Sequence, residues 1–234
     1  MKVITQYDKV IEVGLEGAGI SESNGEEIRP EMRDRIERVL ITRALIQKRV
    51  QALAKEIAEF YQGRKKIDMV FILEGARVFA SDLEKEIYNA RGPEIRTQSI
   101  KAQTYGVEIK REGEQERKVK IIYAPSGLKG KEVLLVEDIV DQGFTLKAIQ
   151  EWILKEAGAK DLKTCVLVAK RLENPTEQVR NLRENLKLDW VGFTIPDRWI
   201  AGYGIDAGED FRFLPFIVAV KEDYYLKSEK QGEE

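Results

Sequence analysis

The chain contains no histidine. That removes the commonest zinc ligand and the commonest general base, so acid–base chemistry falls to Asp, Glu, Lys, Tyr or the substrate itself. Cysteine is almost as scarce: Cys165 stands alone, which excludes an intrachain disulfide and a thiolate metal cluster, and it reads as a buried strand residue without chemistry. No stretch approaches the ~18 consecutive apolar residues of a membrane span. The N-terminal MKVITQYDKVIEVGLEG has neither the long apolar core nor the small-residue cleavage site of a secretory leader. No period repeats along the chain, which excludes a solenoid. Neither charge sign dominates, since 39 basic residues face 41 acidic ones, and this gives no support to nucleic-acid binding through net charge. Together these absences predict a soluble, cytoplasmic protein.

What is present is a chain of 234 residues, long enough for one large domain or one domain with a small appendage. Residues 1–29 carry little helical pattern, with Gly14, Gly17, Gly19 and the turn-like SESNGEE; they predict an irregular extension with a short strand around Val10 to Val13. Pro30 suits the first turn of a short helix running to about Leu40. Thr42 suits the cap of a longer helix in which Ile46, Val50, Leu53, Ile57 and Tyr61 share a face, with Gly63 ending it.

From there the pattern alternates. MVFILEG (69–75) predicts a buried strand and ARVFASDLEKEIYNA an amphipathic helix; EIRTQSIKA alternates as a strand does. The polar YGVEIKREGEQERKVK (105–120) reads as a mobile loop or an exposed hairpin. VLLV (133–136), TCVLVA (164–169), VGFTI (191–195) and FIVAV (216–220) are apolar runs typical of strands covered on both faces. Leu146, Ile149 and Ile153 line a helix that Gly158 stops. Strands joined by helix-length connections predict an α/β fold built on a mainly parallel, twisted sheet flanked by helices. Ligands of such sheets sit beyond the carboxyl ends of the strands. That rule selects Leu73 to Ala76, Glu137 to Thr145, Lys170 with Arg171, and the stretch after Ile195.

The richest of these is EDIVDQGFT (137–145), read as a loop between strand and helix. Backbone amides around Gly143, with a helix N-terminus behind them, suit a phosphate, and the Thr145 hydroxyl adds a donor. It is not a triphosphate loop, because GxxxxGK[ST] is absent. Carboxylates repel phosphate, so Glu137 and Asp138 must face a sugar diol or a hydrated Mg²⁺. A ligand with a ribose, one monophosphate and a metal-bound pyrophosphate would use every part.

VEDIVDQGFT resembles the phosphoribosyl-pyrophosphate (PRPP) motif of type I phosphoribosyltransferases, V-E-D-[IVL]-[IVL]-D-[TS]-G-x-T. FILEGARVFASDL is similar to the pyrophosphate-loop segment of the hypoxanthine-guanine phosphoribosyltransferases. VLVAKR and VGFTIPDRWIAGYGIDAGEDFRFLPFI resemble their purine-binding strand and C-terminal segment. The similarity runs from about Ile41 to Val220. It implies a phosphoribosyltransferase domain over 41–225 with a small hood from terminal segments, drawn partly from 190–220. Residues 1–40 would be an N-terminal extension and 226–234 a flexible tail.

The resemblance also implies roles. Glu137 and Asp138 would hold the ribose hydroxyls, directly or through Mg²⁺ water. Asp141, Gln142, Gly143, Phe144 and Thr145 would bind the 5′-phosphate, with Asp141 also the catalytic proton acceptor near purine N7. Leu73, Glu74, Gly75 and Arg212 would take the pyrophosphate, relatives often having a non-proline cis peptide before the second loop residue. Lys170 would donate to purine O6, Trp199 would stack on the base, and the Ile200 backbone would read its edge. Asp206 would contact a second Mg²⁺, and Thr104 and Tyr105 would open a mobile loop over the site. Gln142 stands where the family has Thr or Ser, and Glu74 puts an acid in a pyrophosphate loop. The implied protein is a Mg²⁺-dependent homo-oligomer, dimer or tetramer, making IMP or GMP from PRPP and a 6-oxopurine. Two alternatives are a xanthine-preferring relative and a PRPP-sensing regulator of the same fold, the latter disfavoured by the glutamates of the extension.

Overall fold

The computed structural model describes residues 10–15, 28–109 and 115–224, without the side chains of 104–118. SESNGEE and the 226–234 tail lie outside the described residues. In chain order the elements are β1 (Ile11–Glu12), β2 (Ile36–Ile41), α1 (Arg43–Phe60), β3 (Lys66–Ile72), α2 (Arg77–Asn89), β4 (Glu94–Ile109) and β5 (Gln115–Tyr123). They continue with β6 (Glu132–Val140), α3 (Phe144–Lys155), β7 (Asp161–Arg171), α4 (Glu177–Glu184), β8 (Trp190–Pro196), β9 (Ile200–Ala201) and β10 (Ile217–Val220).

Seven strands form one sheet in the order β1-β8-β7-β6-β3-β4-β5. Every neighbouring pair is parallel except β4 with β5. The apolar runs are central strands because both faces are covered. In β6, Leu134 and Val136 join the core beneath α1 and α2, while Val133 and Leu135 join the one beneath α3. Alternate side chains of a strand point to opposite faces, so a continuous apolar run serves both layers. Cys165 is fully buried in the first of these cores, and that burial pushes its thiol far above the ordinary range.

A second, three-stranded antiparallel sheet, β2-β10-β9, forms the hood. Two expectations change here. Pro30 starts only one 3₁₀ turn, Pro30–Met32, and the residues up to Ile41 are strand. IERVLI satisfies its backbone through Ile36, Arg38, Val39 and Ile41 against β10, a pairing about 180 residues away that local pattern cannot show. For the same reason FIVAV belongs to the hood and not to the central sheet. The short strand expected near Val10 is β1, which lies parallel to β8 at the sheet edge, with Val13 N–H donating to Thr194 O at 2.8 Å. Residues before and across position 40 are therefore woven into both sheets.

Helix α1 begins at Thr42, whose Oγ1 accepts from Leu45 N–H at 3.3 Å and whose side chain is fully buried. Thr42→Ala leaves that amide without its side-chain partner. The expected cost is about 1 kcal/mol of unfolding free energy, or roughly 2–4 °C in Tm; a melting curve unchanged within 1 °C would contradict the cap.

Candidate active site

Three strand ends and the hood meet at the carboxyl edge of the sheet. Glu137 and Asp138 are not in a loop: β6 continues through Val140, because Ile139 and Val140 still pair with Val168 and Ala169 of β7. Both carboxylates are consequently buried, at 7% and 6% exposure, and Asp138 N–H donates to Glu137 Oε1 at 3.3 Å. Burial, and then the Asp138 carboxyl beside it, holds the Glu137 carboxyl well above its ordinary range. Two adjacent acids in a poorly hydrated place favour sharing a proton or meeting a cation.

The loop proper is Asp141 to Gly143. Gly143 caps α3 with φ +93°, and a Cβ there would come within 2.8 Å of Leu182 Cδ2. Only glycine meets both conditions without strain. Phe144 and Thr145 form the first turn of α3, so the half-buried residues 141–145 gather at a helix N-terminus.

The turn after β3 contains a cis peptide between Leu73 and Glu74. Gly75 follows, buried against the acid pair, and a Cβ on it would lie 1.9 Å from Asp138 Oδ2. The Glu74 carboxylate is turned onto β4, where Lys101 Nζ lies 3.1 Å from its Oε1, so the acid of this loop is neutralised at its rim. From the hood, Arg212 pairs with Asp206 at 2.9 Å and donates to Gly204 O at 3.0 Å. Asp206 also accepts from Glu209 N–H at 2.9 Å. Leu73 to Gly75, Glu137, Asp138, residues 141–145, Asp206 and Arg212 all line one cleft of about 340 Å³.

A second cleft of about 430 Å³ adjoins it, sharing Asp141, Gln142 and Phe144, and is walled by Lys170, Asp197 and Trp199. Lys170 is buried; its Nζ lies 3.1 Å from Asp141 Oδ2, 3.9 Å from Asp197 Oδ1 and 4.9 Å from the centre of the Trp199 ring. Ile200 does not line this cleft: its side chain is buried, and its backbone belongs to β9, in register with Ala219. Asp197 carries no signal of its own within IPDR, because what places it, accepting from Glu173 N–H at 3.1 Å, is a contact between separate loops.

Thr104 and Tyr105 lie within β4, opposite Val119 and Lys118 of β5. Of the two forms read for 105–120, the described backbone takes the hairpin; the side chains at Thr104 and Tyr105 lie outside the described residues.

Paired acids and a buried lysine near the carboxyl ends of two central strands thus meet a glycine-capped helix N-terminus at one edge of a mainly parallel sheet. The chain belongs to the phosphoribosyl transferase domain family, whose model matches residues 39–207, and it is an enzyme of the glycosyl-transferring class. It is similar to the hypoxanthine-guanine phosphoribosyltransferases of Dictyostelium discoideum (33% identical, covering 81% of this chain and 98% of that one) and Aquifex aeolicus (34%, 82% and 99%). A solved hypoxanthine phosphoribosyltransferase of Staphylococcus aureus superposes with a TM-score of 0.69 at 30% identity, covering 85% of this chain and 99% of that one. Among the described residues no helix is long and apolar enough to cross a membrane.

Proposed function

We propose that the enzyme joins hypoxanthine or guanine to PRPP, forming IMP or GMP and pyrophosphate, with Mg²⁺ as cofactor. The observation that carries this reading is the pairing of the buried Lys170 with the half-exposed Asp141 carboxylate at the junction of the two clefts. A 6-oxopurine presents O6 and N7 side by side. A lysine donor next to a carboxylate acceptor matches O6 beside a protonated N7, while the amino group of adenine would put donor against donor.

In the first cleft, Glu137 and Asp138 take the ribose side, the amides of residues 142–145 take the 5′-phosphate, and Leu73 to Gly75 with Arg212 take the pyrophosphate. In the second, Trp199 offers an aromatic face to the base. The purine N9 forms a bond to the ribose C1′ as the bond from C1′ to pyrophosphate breaks, and the N7 proton passes to Asp141. The protein's contribution is positioning and charge stabilisation, which needs no histidine.

The donor set also fits the cation. Among the described residues no group of three or more potential ligands converges, and two neighbouring buried acids suit an ion that keeps much of its shell as water and substrate oxygen. Glu137 and Asp138 would hold one Mg²⁺ and Asp206 a second. When bound, the metal supplies neutralisation of the pyrophosphate charge.

Incubation with Mg²⁺, PRPP and each base, followed by absorbance, tests the reading. Nucleotide should form with hypoxanthine or guanine and not with adenine. Turnover of xanthine alone would move the base preference, and turnover of no 6-oxopurine would overturn the proposal.

A further inference from the structure

Arg183 lies on α4, outside both clefts, with its side chain buried at 8% exposure. Its Nη1 donates to Val140 O at 3.0 Å and to Asp141 O at 2.7 Å, and its Nη2 donates to Lys170 O at 2.8 Å. These carbonyls stand at the carboxyl ends of two adjacent strands. The last pair in register between β6 and β7 is Val140 with Ala169, so no further rung of the ladder holds Asp141 against Lys170. The guanidinium fork spans that gap. Helix α4 is itself pressed onto the loop, since Leu182 is the neighbour that Gly143 makes room for.

We propose that Arg183 is a positioning residue that fixes the Asp141 and Lys170 backbones relative to each other, and through them the carboxylate–ammonium pair that receives the purine. This rests on the purine-transfer reading above. Arginine suits the place because its planar fork directs several N–H groups at fixed angles. Lysine keeps the charge but carries its three N–H groups on one nitrogen, which cannot span three carbonyls at the ends of two strands in one geometry.

The test is steady-state kinetics of Arg183→Lys and Arg183→Met, each checked for folding by circular dichroism. The methionine variant removes the buried charge together with the bonds, which relieves the desolvation cost that lysine would retain. With hypoxanthine varied, kcat/KM is expected to fall on the order of 10²-fold, the loss that follows misplacement of reacting groups by about 1 Å. Equilibrium binding of PRPP should change far less. Combined with Asp141→Asn, either variant should add little further loss, because residues acting as one unit are not additive.

Wild-type purine kinetics in folded variants, or losses that simply multiply in the double variant, would overturn the proposal. Failure of both variants to fold would also overturn it, by making Arg183 a purely structural residue. Turnover of hypoxanthine by the wild-type enzyme in the same assay reports separately on the purine-transfer reading.

Discussion

Asp141→Asn is expected to lower kcat for 6-oxopurine transfer by roughly 10²–10⁴-fold, the usual contribution of a positioned proton acceptor, or about 3–5 kcal/mol of barrier. Asparagine has nearly the same shape, so the backbone that Arg183 holds and the amides of the phosphate cradle are preserved. What disappears is the negative partner that now lies 3.1 Å from Lys170 Nζ and, with it, the N7 proton acceptor proposed above. The loss should therefore appear in turnover much more than in PRPP binding. Single-turnover rates alongside a PRPP binding isotherm separate the two, and equal losses in both would restrict Asp141 to binding.

The second large effect is expected from Gly75→Ala. The added methyl would sit 1.9 Å from Asp138 Oδ2 and 2.6 Å from its Cγ, well inside van der Waals contact. Asp138 has little room to yield, because it is buried in a strand beside Glu137. Retreat of the loop is blocked from the hood side, where Gly204 comes so close that a Cβ on it would be 2.2 Å from Gly75 O. Either the acid pair or the loop must leave its place, at an overpacking cost of about 1–3 kcal/mol. With the proposed pyrophosphate and ribose contacts both displaced, kcat/KM for PRPP should drop at least about 10²-fold in a protein that still folds. Unchanged PRPP kinetics would show that this contact does not govern the site.

Much of this arrangement is legible in the residues themselves. VEDIVDQGFT carries the acids and the glycine-capped helix start in one run, and the α1 face from Ile46 to Tyr61 is visible because about four helical turns repeat it. What is hidden depends on distant partners. Six residues such as IERVLI hold too little periodicity to separate strand from helix, and their partner β10 is far along the chain. Glu137 and Asp138 read as loop because the apolar run VLLV stops before them and acids are depleted in strands, whereas here β6 outlasts them by two residues. Arg183 leaves no local trace, since it sits on the polar helix EQVRNLRE and the role proposed for it lies in three backbone oxygens, two on other strands and one on the loop after β6. Gln142 lines both clefts, so the one departure from the motif in residues 141–145 stands where the two clefts adjoin.

Pairing between strands far apart along the chain sets an order of assembly. β1 requires β8, and β2 requires β10. At a synthesis rate of about 5–20 residues per second, a ribosome makes Val220 on the order of ten to forty seconds after Ile41. During that interval the sheet from β3 to β7, with its acid pair and phosphate loop, already has its sequence neighbours, while the opening strands have none. Asp206 and Arg212 lie between β9 and β10, in the segment the hood fastens last. A nascent chain halted before residue 217 would therefore carry residues 141–145 without a fastened hood opposite them, and the cleft they share with Asp206 and Arg212 is complete only once β10 has been made.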